Sequence, residues 1–328
     1  MTSNSPTVAQ AFAGPDAVIP FQVAPLDVRG RAVQLGPVLN SILSRHNYPK
    51  PINRLLGEAI VLTVLLGTAL KFEGKFILQT KTDGPVPLIV TEFRTPHAVR
   101  AYASFDEAAV QALTDSGNES AETLMGKGIL ALTIDQGQHM QRYQGIVELD
   151  GIGLEEVARR YFRQSEQIPT EVRLAVAETL TRGDSGEAIA GWQAGGVLVQ
   201  FLPDSEERMR QKDLHGGDGA EDHDLEPDDA WAEAQALVRT IEDVELTDPE
   251  TEPERLLYRL FHEHGVHAFE ATAVSDECGC SEDNVRAVLE SFTPEQIAES
   301  TEENGIQVTC EFCSRAYRFS PTEFTSTN

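Results

Sequence analysis

From residue 18 to residue 203 the apolar positions switch repeatedly between the two-residue period of strands and the 3.6-residue period of helices. Residues 18–28 read as extended. Residues 35–45 and 51–70 read as two helices, parted by the turn-forming Asn47-Tyr48-Pro49-Lys50-Pro51. Residues 75–80 and 86–93 form a predicted hairpin around Thr82-Asp83-Gly84-Pro85. A second strand pair is predicted at 129–134 and 144–148, an amphipathic helix at 154–164, and strands at 172–180 and 196–202. This order of sheet and helix predicts an α+β domain over 18–203.

The pattern changes at Pro203. Residues 204–265 read as an acidic insertion followed by two helices, 229–244 and 249–264. The second helix has Leu256, Leu257, Leu260 and Phe261 on one stripe, and Thr247-Asp248-Pro249 marks its start. Together the two helices read as a linker with little core of its own. Residues 266–320 read as a small C-terminal domain. There Ser281 caps a helix carrying Val285, Val288, Leu289 and Phe292, and Thr293-Pro294-Glu295-Gln296 forms a capping box. Two strands are predicted at 306–309 and 316–319. Residues 1–17 read as a disordered start and 321–328 as a tail.

Composition narrows the function classes. The formal net charge of the 328-residue chain is −27. Such a field repels nucleic acid and anionic membranes, so neither is an expected partner. Residues 204–252 hold 18 Asp or Glu against 4 Lys or Arg, which concentrates about half of that charge in one stretch; the part around Gly216 to Asp222 reads as a solvated loop. The longest apolar run, 55–70, contains Glu58 and is too short to span a bilayer, for which about 20 residues are needed. The N-terminal residues lack a basic region followed by an apolar one, so a cytoplasmic protein is expected.

The only four cysteines, Cys278, Cys280, Cys310 and Cys313, all lie in the last 51 residues. Two close pairs, Cys-Gly-Cys and Cys-Glu-Phe-Cys, stand 29 residues apart. Each pair offers two ligands from one tight turn, and four thiolates close a tetrahedral zinc shell with no open position. One zinc ion held by these four is therefore expected. His262, His264 and His267 lie upstream as competing ligands, although histidine at a helix end also suits the dipole. A segment of this size gains only about 3–5 kcal/mol from its own core, whereas structural zinc contributes on the order of 10–16 kcal/mol in small peptides, so loss of the metal should unfold it. The metal ties the two pairs together across the gap. Disulfides within the pairs, were they to form, would close only tiny loops and replace none of that cross-link. Oxidation would then eject zinc, and the linker would lose its docking partner.

The chain resembles the 33 kDa heat-shock chaperonin family, the bacterial redox-regulated holdases. The Cys-X-Cys…Cys-X-X-Cys arrangement carries the likeness, together with Val28-Arg29-Gly30-Arg31, His46-Asn47-Tyr48-Pro49, Leu70-Lys71-Phe72-Glu73-Gly74, Thr82-Asp83-Gly84-Pro85, Arg142-Tyr143-Gln144-Gly145-Ile146-Val147, Tyr161-Phe162, Ser165-Glu166-Gln167-Ile168-Pro169-Thr170 and Ala194-Gly195-Gly196. The likeness runs over residues 18–320. It implies a substrate-binding domain over 18–203, a metastable helical linker within 204–265 and a zinc-binding redox switch over 266–320. It also implies a non-enzymatic, ATP-independent chaperone that is inactive when reduced and zinc-bound. Oxidation would form the disulfides Cys278–Cys280 and Cys310–Cys313, release zinc, unfold the linker, and give a homodimer that binds unfolded client proteins under oxidative stress. Two features depart from the family: Ser314 stands where glycine is common, and the acidic insertion over 204–228 is long. Gly30, Gly84 and Gly145 read as turn or packing glycines, and Arg29 and Arg142 as partners of carboxylates.

Two other classes fit parts of the pattern. A constitutive structural zinc ribbon would keep its metal through oxidation. A thiol–disulfide oxidoreductase would use Cys310-Glu311-Phe312-Cys313, but the strand-to-helix context of thioredoxin-like motifs is missing.

Overall fold

The computed structural model describes residues 14–70, 73–137, 142–182, 187–202, 229–302 and 305–324. The whole acidic insertion over 204–228, with the solvated loop expected at 216–222, the first 13 residues and the last four lie outside these. The chain is α+β, with two six-stranded sheets facing each other across a central helix.

The first sheet is built from β1 (Ala17–Val23), β2 (Val28–Leu35), β8 (Thr170–Arg182) and β9 (Ala188–Phe201), and the short strands β10 (His267–Ala268) and β11 (Thr272–Ala273) pair with β1. The second sheet runs β12 (Ser275–Asp276), β5 (Ala98–Ser104), β4 (Leu88–Arg94), β3 (Lys75–Thr82), β6 (Lys127–Asp135), β7 (Tyr143–Asp150). Among the described residues every strand pairing is antiparallel except that of β12 with β5. The extended segment expected over 18–28 is interrupted after Val23. A 3-10 turn at Ala24–Leu26, with Pro25 lacking a donor and Asp27 at φ +50°, folds β2 back on β1.

Of the helices α1 (Pro37–Leu43) and α2 (Lys50–Gly67), the second is buried on nearly every side and packs on strands of both sheets. A helix apolar all round belongs inside a protein, and α2 is the middle of the main core. Asp16, within the stretch read as disordered, accepts hydrogen bonds from Gly36 N (2.9 Å) and Val38 N (3.1 Å), so order begins before residue 18. The helices α3 (Glu107–Ser116), α4 (Ala121–Met125) and α5 (Leu154–Tyr161) complete this region. A Cβ on Gly145 would come within 2.3 Å of the Tyr161 ring, in agreement with a packing role. Arg142 pairs with Asp135 as expected.

The linker helices depart from expectation. The expected helix 229–244 is two, α6 (Asp229–Arg239) and α7 (Asp243–Thr247), the latter started by a capping box between Glu242 and Glu245. Thr247 and Asp248 end α7 rather than begin the next helix, and α8 (Pro253–Phe261) starts at a proline further on. These helices are not poor in core. Trp231, Val238, Ile241, Leu246, Leu256, Leu257, Leu260 and Phe261 are buried with Ile19, Phe21, Val23, Val28, Val197, Val199 and Phe201 of the first sheet in a second core. Strand alternation explains the arrangement: Val33 and Leu35 of β2 face α2, while Val28 and Ala32 face the linker helices. The docking partner of the linker is therefore the first sheet, not the cysteine segment. Polar contacts add to it. The buried carboxylate of Glu171 on β8 accepts from Arg239 (2.9 Å) and Gln235 (3.3 Å) of α6 and from Arg159 (2.6 Å) of α5.

Beyond α8 the chain pairs with both sheets through β10, β11 and β12 before it reaches the first cysteine. The remaining segment has α9 (Glu282–Glu290), capped by Ser281, and α10 (Pro294–Glu299), with the Thr293–Gln296 capping box. It ends in the hairpin β13 (Ile306–Thr309) and β14 (Ala316–Phe319). Its core is four buried residues: Leu289, Ile297, Ile306 and Phe319. No described helix is long and apolar enough to cross a membrane.

Candidate metal centre

Cys278 and Cys280 leave the end of β12, and Cys310 and Cys313 lie in the turn between β13 and β14. The helices α9 and α10 fill the 29-residue gap and return the chain to its start, as the capping signals predict. The four Sγ atoms lie within 4.8 Å of one another and carry no disulfide. Cys278 Sγ stands 3.7 Å from Cys310 Sγ, and Cys280 Sγ 3.3 Å from Cys313 Sγ. Zinc–sulfur bonds of about 2.3 Å in a tetrahedron place the sulfurs about 3.8 Å apart, so the cluster fits such an ion closely.

The electrostatics point the same way. Burial pushes the Cys278 thiol up and Cys313 up to about 12, while Cys280, also raised by burial, is drawn down to about 7 by the Tyr317 hydroxyl and the neighbouring sulfurs. Tyr317 Oη donates to Cys280 Sγ at 3.2 Å. Thiols so close together resist joint ionisation, and a central divalent cation removes that resistance.

None of the three upstream histidines joins the cluster. His264 Nε2 meets Glu233 Oε1 at 2.9 Å, the His262 ring packs on Tyr258 at 5.4 Å, and the His267 ring meets Phe269 edge-on at 4.7 Å. Other residues, none of them an expected site residue, hold the cysteine turn against the second sheet. The Arg100 guanidinium lies 4.0 Å over the Phe312 ring and its Nη1 is 3.7 Å from Cys278 Sγ; Tyr102 meets the same ring edge-on at 4.9 Å. His46 Nε2 lies 3.3 Å from Phe312 O, and Asp276 accepts from Arg45 and from Ser41 Oγ (2.6 Å). Phe312 lies inside the cysteine motif and His46 inside His46-Asn47-Tyr48-Pro49, but nothing in either motif links the two. Ser314 sits at φ +56° and its hydroxyl donates to Arg45 O at 3.4 Å, so the departure from glycine places a side chain in a left-handed turn.

A reduced four-cysteine cluster on an α+β body defines a candidate structural or redox metal protein. The Hsp33 protein family matches residues 16–320. A 33 kDa chaperonin of Caulobacter vibrioides is 42% identical over 308 residues, covering 93% of this chain and 95% of the relative. One from Pseudomonas putida is 34% identical over 299 residues, covering 90% and 88%. The crystal structure of the Thermotoga maritima 33 kDa chaperonin superposes with a TM-score of 0.69 at 19% identity, over 94% of this chain and 96% of that one, which shows a shared fold. The chain belongs to the Hsp33 family, and its function is that of a chaperone.

Proposed function

We propose that this protein is a redox-regulated, ATP-independent holdase of the cytoplasm, with one zinc ion held by Cys278, Cys280, Cys310 and Cys313 in its reduced, inactive state. The observation that carries the reading is the continuity between the cysteine cluster and the linker layer. From α8, whose Phe261 is buried on Phe21, the chain passes through three short strands straight into Cys278. The linker helices cover an apolar sheet face that unfolded clients can use when it is bare.

When bound, the metal supplies the cross-link between the two cysteine pairs. The protein residues do the rest. Arg100 and Tyr102 hold Phe312, and with it the second cysteine pair, against β5. In the switch two molecules of a peroxide-class oxidant are consumed, one per cysteine pair: each takes two electrons from a pair of thiolates, its O–O bond breaks, its oxygens leave as water with protons drawn from solvent, and a disulfide forms. The pairing Cys278–Cys280 and Cys310–Cys313 rests on the family resemblance. Disulfides within pairs leave nothing to hold the four-residue core of this segment, and the strain passes through β10–β12 to the linker helices. The bare sheet face then binds clients, with two oxidised chains joining as a homodimer. The net charge of −27 argues against nucleic acid or anionic membrane as partners.

The test is client aggregation followed by light scattering with reduced and peroxide-treated protein, with zinc release and disulfide mapping on the same samples. Suppression only after oxidation is the expected result. Equal activity in both states overturns the switch, and zinc retained after oxidation identifies a purely structural site.

A further inference from the structure

Arg31 is in a peculiar position. It lies on β2, opposite Pro20 of β1 and Leu198 of β9, on the face that carries Val33 and Leu35 towards α2. Its Nε is buried without a hydrogen-bond partner, and no charged partner among the described residues acts on its guanidinium. Burial lowers its pKa, and no opposing charge offsets that cost. Arg31 as a whole is half-buried, so the desolvation is partial, but a cation with a buried, unpartnered Nε and no counter-charge is uncommon.

Arg31 lines a half-open cavity of about 170 Å³ at the end of α2. The rest of the wall is mostly hydrocarbon, with Leu65, Leu66, Phe76, Tyr161 and Leu198 among its residues. The one carboxylate in the lining, Glu166, is already engaged by the hydroxyls of Tyr161 (2.7 Å) and Tyr143 (3.2 Å). An apolar cavity of about 150 Å³ holds a benzene-sized molecule. A free cation beside such a space completes a recognisable set: one anion-binding fork and one hydrocarbon pocket. We propose that this cavity binds a small apolar monocarboxylate, its carboxylate on the Arg31 guanidinium and its hydrocarbon part against Leu65, Leu66, Phe76 and Leu198. The site is remote in sequence from the cysteines and independent of the redox reading.

The test uses the full-length, reduced, zinc-loaded protein and two probes of the same shape, benzoate and its neutral analogue benzamide, titrated by calorimetry. Benzoate should bind saturably, and benzamide about tenfold to a hundredfold more weakly, the range of a hydrogen bond to a charged group. Arg31→Met should lose benzoate binding by a similar factor while its thermal unfolding stays cooperative. Ala69→Phe, at an exposed position on the cavity rim, keeps the cation and should block both probes. It therefore still decides the matter if Arg31→Met fails to fold. Absence of saturable benzoate binding, equal affinity for the two probes, or benzoate binding unchanged by either substitution overturns the proposal.

Discussion

Gly195→Ala is expected to free the linker without touching the cysteines. Gly195 lies on β9, opposite Gln34 of β2 and Ala175 of β8, and faces α7. A Cβ at this position would stand 2.2 Å from Leu246 O, 2.9 Å from its carbonyl carbon and 3.2 Å from its Cα. These are backbone atoms, which cannot rotate aside, so α7 must withdraw by about 1 Å or more to restore ordinary contact distances. The shift strains the burial of Leu246, which is 3% exposed, and three polar contacts: Gln34 Nε2 to Asp248 O (2.8 Å), Arg173 Nη2 to Asp243 Oδ1 (2.9 Å) and Arg173 Nη2 to Ile241 O (3.2 Å). Overpacking costs about 1–3 kcal/mol and partial loss of a buried leucine about 1 kcal/mol more. A total of about 2–4 kcal/mol raises the undocked population by about 30-fold to 700-fold. The assay is limited proteolysis and amide exchange on the reduced, zinc-loaded protein. Residues 229–261 should become sensitive while β2 and β9 keep their protection and the zinc content is unchanged, and the variant should suppress client aggregation without oxidant. Wild-type protection of the linker, or equal loss of protection across the sheet, would refute the idea that α7 docks as a separable unit on this glycine.

Three further outcomes follow from particular groups. Burial, and after it the carboxylates of Glu155, Glu122 and Asp243, raise the Glu58 carboxyl from 4.5 to about 8. The folded state thus keeps a proton that the unfolded state releases, so this group's contribution to stability is full below pH 4.5 and is lost as the pH rises to about 8. Glu58→Gln should flatten that slope in denaturant midpoints; parallel curves for the two proteins would count against it. Ser314→Gly relieves a left-handed serine and should stabilise the cysteine turn by about 1 kcal/mol, seen as slower zinc loss to a chelator; faster loss would contradict this. Zinc removal under reducing conditions should abolish amide protection over 282–319, because four buried residues supply too little core. A protected apo segment would show the core to be sufficient.

Local chemistry made much of this protein legible in its sequence. Caps are contacts between near neighbours, so Ser281 and the Thr293–Gln296 box announce their helices without reference to the rest of the chain. The cysteines were equally plain, because two ligands from one tight turn need only short spacing and a long gap can be bridged by any helices that return. Long-range contacts decided the remainder. The apolar stripes of the linker helices could be seen, but their partner depended on which face of the first sheet stayed uncovered and on a glycine 51 positions before Leu246. Arg100 and Tyr102 carry no motif, and His46 belongs to one that says nothing of the cysteines; they meet the cysteine turn only because β12 pairs with β5 and α1 packs beside it. The histidines nearest in sequence to the cluster went elsewhere, to Glu233, Tyr258 and Phe269. Sequence spacing determines what a turn can gather, whereas strand pairing and helix docking determine what stands beside it, since those contacts join residues whose separation along the chain carries no periodic signal.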